Sequence, residues 1–210
     1  MARNNDFRVA LAWLTAGLVT IEVLIVLAFV PSSAVARYNA AERAAVSADL
    51  GSATEAKVLD NANFWFDLTL VRPGFYAAFN KYLFDADDKE FIRDSPGPQY
   101  VEDRVATFWR VLFAVYYRIA AICIWLPYLL PLILATLVDA LQSRRVRQWR
   151  FSYVSPMTRA WSARTRFGLT CLLILAVLLP VHVPAMFYPI LLGGLVFTTW
   201  VSVTHLQKRI

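Results

Sequence analysis

Residues 167–207 read FGLTCLLILAVLLPVHVPAMFYPILLGGLVFTTWVSVTHLQ, 41 positions without one Asp, Glu, Lys or Arg. A bilayer core about 30 Å thick is crossed by about 20 apolar residues in a helix, so this stretch is too long for one crossing and about right for two. Pro180-Val181-His182-Val183-Pro184 supplies the break. Two prolines flanking a short polar interruption predict a helical hairpin, with crossings over 167–181 and 187–206 and a turn at 182–186. Gly193-Gly194 in the last helix permits close packing, although the spacing is not that of a GxxxG pair.

Working upstream, Val111–Val138 carries Arg118 as its only charge and prolines at 127 and 131. Its 28 residues exceed a straight crossing, and each proline removes a backbone donor, so tilt or a kink at Pro127 and Pro131 is expected. Val9–Val30 is a third apolar run, interrupted only by Glu22. Ala34-Val35-Ala36 offers a signal-peptidase-like site, but a signal h-region spans about 7–15 residues and this run is longer. It reads as an uncleaved anchor. The whole-chain figures agree, with 59% hydrophobic residues against about 45–50% in soluble domains. The expected fold is an all-α integral membrane protein with four transmembrane helices.

Charge sets the orientation. Seven arginines and no acidic residue lie between Ser143 and Arg166; Arg3 and Arg8 mark the amino-terminal tail (1–8), and Lys208 and Arg209 the carboxyl-terminal one (207–210). Residues 31–110 hold nine basic and twelve acidic residues. With four crossings every basic-rich segment falls on the cytoplasmic side at once, as the positive-inside bias requires. Both termini and the 139–166 loop are then cytoplasmic, and 31–110 is extracytoplasmic. Within 31–110, Tyr38–Asp60 is alanine-rich and reads as helix. Phe75, Phe79 and Tyr82 share a helical face that lies against the headgroups or a partner, or else in a packed cap.

Candidate chemistry is sparse. Glu22 and Arg118 are intramembrane charges of opposite sign, each costing on the order of 2.5–3.5 kcal/mol at mid-bilayer unless paired, and each about 12 Å from the outer boundary. They are expected to pair and hold the first two spans in register, the alternative being an Arg118 that snorkels and a hydrated or protonated Glu22. No HExxH, GxSxG or phosphate-loop pattern occurs, so no catalytic residue, metal ligand or cofactor site is expected. His182 and His205 fall near opposite membrane faces, and Cys123 and Cys171 read as small hydrophobes. The informative segment is the basic loop, where Arg144, Arg145, Arg147, Arg150, Arg159, Arg164 and Arg166 interleave with Trp149 and Trp161. Such a surface attracts anionic lipid, an acidic protein face or nucleic acid, and its aromatics favour a partner.

The run Val138-Asp139-Ala140-Leu141, Arg144, Val146-Arg147 and Trp149, followed by an apolar hairpin broken at Pro180, resembles the four-span membrane proteins of integrating conjugative elements and conjugative plasmids. The likeness is concentrated in 138–206 and extends in layout to most of the chain. It implies association with a conjugative, type IV secretion-like DNA-transfer apparatus, with other membrane proteins of that apparatus as partners and the coupling ATPase among the candidates. It transfers no catalytic residues. The expectation is a non-enzymatic inner-membrane component that docks a partner through its basic loop; a small channel or transporter subunit is the alternative.

Overall fold

The computed structural model describes residues 29–84, 98–149, 156–178 and 183–205, with single positions between 9 and 25. Every described element is a helix: α1 (Ser32–Leu50), α2 (Ser52–Phe66), a π-helical turn (Asp67–Val71), α3 (Phe75–Phe84), α4 (Pro98–Trp149), α5 (Pro156–Leu178) and α6 (Phe187–Thr204). Three of them, α4, α5 and α6, are long and apolar enough to cross a membrane. The chain divides into two compact units. One comprises 20–121 and 178–185, the other 1–19, 122–177 and 186–210.

In the first unit α1 lies alongside the first half of α4, and the two run parallel. Ser32 pairs with Asp103, Asn39 with the Arg110 carbonyl and Glu42 with Arg118, so both numbers rise together. Pro31 precedes α1 and has no side chain to cap it. Asp103 takes that role, accepting the Ser32 N–H at 3.3 Å on each carboxylate oxygen and placing negative charge at the positive helix end. Arg104 donates to the Val30 carbonyl at 2.7 Å, which holds the chain entering α1.

Gly51 breaks what reads in sequence as one helix over 38–60 into α1 and α2. Its φ of 86° and ψ of 152° lie in a region that other residues rarely occupy, and its N–H closes α1 on the Ser47 carbonyl. Val35 and Val46 of α1 and Val58 and Ala62 of α2 are buried. Ala114, Ala120 and Ala121 are the small buried side chains of α4 in this unit.

Aromatic packing ties α3 to α4. Phe66 meets the rings of Tyr76, Trp109, Phe113 and Tyr116 edge-on at 5.7–6.5 Å. Tyr76 and Phe79 lie 4.6 and 5.4 Å from Trp109, whose indole N–H donates to Asn80 Oδ1 at 3.2 Å. Phe66, Tyr76, Phe79 and Trp109 therefore form one ring cluster, while Phe64, Phe75 and Tyr76 keep exposed surface. The Tyr82 side chain lies outside the described set.

The second unit contains the rest of α4 with α5 and α6. Gly194 lets the two apolar helices close up: a Cβ there would stand 3.2 Å from Leu169 Cδ1. Leu126, Tyr128, Leu130, Leu132, Leu134, Leu137, Val138 and Leu141 are all exposed. The segment 139–166, expected as a loop, is helical wherever it is described: α4 continues to Trp149 and α5 begins at Pro156, eleven residues before the expected start of the third span. Once the backbone is helical at Val138, continuing to Trp149 adds a hydrogen bond per residue, and no Gly or Pro intervenes. Helix α4 also runs unbroken through Pro127 and Pro131. Pro184 lies in the non-helical stretch before α6, and Pro180 falls outside the described residues.

Candidate functional site

Three constellations hold polar or accessible groups. The first is Arg118 with Glu42. Arg118 Nε donates to Glu42 Oε1 at 2.8 Å and Nη2 to Oε2 at 2.7 Å, the two-pronged geometry that guanidinium and carboxylate favour. The residues are 2% and 3% exposed, so water does not screen the pair. Arg43, next in α1, lies with its guanidinium carbon 5.5 Å from the Phe113 ring centre and 5.8 Å from that of Tyr117. The neighbouring cavity, of about 10 Å³, is lined by Asn39, Glu42, Phe113 and Tyr117. It is too small for a substrate and at most the size of one water. The pair fastens α1 to α4.

Sequence reasoning expects Glu22 as the partner of Arg118. Glu22 lies outside the described residues, and Glu42 is the acid that the sequence reading missed. A signal for it exists. On a 100° helical wheel Val35, Glu42 and Val46 fall within about 40° of one another, so the acid occupies the buried stripe of α1.

The second constellation is the arginine–tryptophan surface. Arg145 and Trp149, four residues apart on α4, are exposed, Trp149 to 84%. On α5, Trp161 is 60% exposed and Arg164 and Thr165 follow at i+3 and i+4, also exposed. Each helix end thus presents an indole and a guanidinium on one face. Arg144 and Arg166 are half-buried. Arg150 lies outside the described residues, and Arg147 and Arg159 are placed in helices with their side chains outside the described set.

The third is a cleft of about 240 Å³ between α4 and α6, lined by Leu126, Ile133, Leu137, Ala140, Val196 and Trp200 among others. Its Thr136 and Thr199 hydroxyls donate to carbonyls of their own helices at 2.7–2.8 Å, which leaves the walls apolar. Trp200 Nε1 donates to Asp139 Oδ2 at 2.7 Å at one edge. Among the described residues no group of His, Cys, Asp and Glu could hold a metal ion.

Comparison with known proteins identifies a family. A family model described as DtrJ-like, an IncC plasmid conjugative DNA transfer protein, matches residues 32–207. The match extends well beyond 138–206, taking in α1 to α3, and it bears out the conjugative-element resemblance. No curated protein and no solved structure matches the chain.

Proposed function

The chain belongs to the DtrJ-like family of IncC plasmid conjugative DNA transfer proteins, and on that footing we propose that it is a non-enzymatic membrane component of a conjugative DNA-transfer apparatus. It crosses the inner membrane four times with both ends in the cytoplasm, and its role is to dock a partner of the transfer machinery. The observation that carries the docking role is the exposure of arginine and tryptophan at the end of α4 and the start of α5, where Trp149 is 84% and Trp161 60% exposed. Tryptophan and arginine are the side chains that most often dominate interface energies, and two exposed indoles on a monomer are otherwise an unrewarded liability. A partner with an acidic face is the complement, and the coupling ATPase is the candidate we favour.

Exposure supports lipid contact for the second unit. Leu126–Leu141 of α4 shows large apolar side chains on all sides, which water would not tolerate and hydrocarbon requires. Arg118 precedes that stretch and is covered by α1, so its charge is met by Glu42 rather than by lipid.

The test is a mating assay. Arg144→Glu, Arg145→Glu and Arg147→Glu together, in a protein that still resists alkaline extraction from membranes, should abolish DNA transfer. Transfer at the wild-type frequency would remove the basic surface from the mechanism.

A further inference from the structure

The cleft between α4 and α6 belongs to one stripe on each helix. Leu126, Leu129, Ile133, Thr136, Leu137 and Ala140 fall within about 100° of arc on α4, and the next position in that arc is Arg144. Arg145 is turned about 100° away from it. On α6 the stripe runs from Leu192 to Val203. The Asp139–Trp200 bond sits near the carboxyl end of both lining segments, so the two helices run parallel, and Arg144 follows Ala140, the last lining residue of α4, by one helical turn. From Leu126 to Ala140 it extends about 21 Å, more than one leaflet of a core about 30 Å thick.

Arg144 is what makes the cleft specific. Its Nε is buried and has no hydrogen-bond partner among the described residues. A buried guanidinium N–H left unmatched is costly, and the group that matches it best is an anion with several acceptor oxygens. Arg145 and Arg147 add positive charge within one turn, with no acidic residue from Ser143 to Arg166. Asp139 lies about 140° from Arg144 around the helix, and its carboxylate is engaged by the Trp200 indole.

We propose that this cleft is a binding site for one anionic glycerophospholipid, its acyl chain lying along α4 and α6 and its phosphate accepting from Arg144. The inference rests on the membrane-spanning reading of these helices, and it assigns them a ligand that the docking role does not require. Bound there, the lipid would fill a cavity beside the root of the arginine–tryptophan surface and hold the end of α4 at the headgroup level. Attraction of an arginine to an anionic headgroup is worth about fivefold in occupancy.

Trp200 lines the cleft and reports on it. Full-length protein is reconstituted in vesicles containing brominated phosphatidylglycerol or brominated phosphatidylcholine at equal mole fraction, and tryptophan quenching is compared. The expected result is stronger quenching by the brominated anionic lipid, an excess lost in Trp200→Phe and reduced about fivefold in Arg144→Gln but kept in Arg145→Gln. Equal loss in Arg144→Gln and Arg145→Gln would mean diffuse surface attraction and would overturn the site. Quenching indifferent to headgroup would overturn it too, as would a cleft shielded from both lipids by another helix. Alkaline extraction of the same preparation keeps the two readings apart. A protein that stays in the membrane yet shows no excess quenching refutes the lipid site alone, whereas one that is released refutes the spanning reading beneath it.

Discussion

Arg118 and Glu42 lie 76 positions apart in the chain and meet in a two-pronged ion pair with both side chains all but excluded from solvent. The contact joins the polar, alanine-rich α1 to an apolar helix, and it explains how α4 carries a charge between Val111 and Val138. Each ion satisfies the other's strongest demand, and the aromatic rings under Arg43 close the site on one side.

Removing one partner strands the other. Glu42→Gln or Arg118→Leu should each destabilise the folded protein by about 3–5 kcal/mol, read as loss of thermal stability in detergent, because an uncompensated buried charge remains. Replacing both, as Glu42→Leu with Arg118→Met, should recover most of that loss. A double variant no more stable than the worse single one would show that the pair is not the unit that matters.

Trp109 is the hub of the α3 packing. Trp109→Ala deletes ring contacts with Phe66, Tyr76 and Phe79 and the bond to Asn80, and should cost about 3–5 kcal/mol. Limited proteolysis should then cut first within Phe75–Phe84, where the packing partner has gone. Unchanged protection of that segment would place its stability elsewhere.

Gly51 is needed for its backbone alone. A Cβ there meets nothing within 4 Å, yet the φ of 86° with ψ of 152° is nearly closed to other residues. Gly51→Ala should cost about 1–3 kcal/mol with no change in secondary structure by circular dichroism. A neutral substitution would imply that α1 and α2 can join by another path.

The exposed tryptophans should matter to transfer without mattering to folding. Trp149→Ala with Trp161→Ala should leave membrane level and thermal stability close to wild-type values, since the two indoles are 84% and 60% exposed. Mating frequency should fall at least about tenfold, as removal of an interface anchor worth more than about 1.4 kcal/mol predicts. Equal loss of protein level and transfer would instead assign these residues to folding.

Reporter fusions address the crossings. Alkaline phosphatase joined after Asp94 should be active and joined after Ser155 inactive, with the reverse for a fluorescent protein that folds only in the cytoplasm. Activity at both positions would contradict four alternating spans.

How much of this was legible in the chain differs element by element. Apolar length and proline placement already pick out the α5 and α6 segments, because a membrane demands an unbroken run of the right length. The helix propensity of 38–60 was readable, but its division at Gly51 was not; a lone glycine in a polar helix has the same appearance whether it breaks the helix or not. The aromatic segment reads as an amphipathic helix face, and its ring contacts with Trp109, more than 20 residues away, were not legible in it. Residues 139–166 read as a loop because charge and polarity ended the apolar run, although helical hydrogen bonding has no such stopping rule.

Composition and spacing by themselves determined the long apolar helices and the arginine-rich segment, and the residues from Val138 to Trp149 with the hairpin after them carried the kinship with conjugative-element proteins. Those properties come from local length, period and charge, which each residue carries with it. Only the tertiary structure decided that Glu42 answers Arg118, that Asp103 caps a helix starting at Ser32, and that Ala140 and Trp200 line one cleft. Pairing across 60 to 80 residues depends on which helix faces meet, and no local pattern records that.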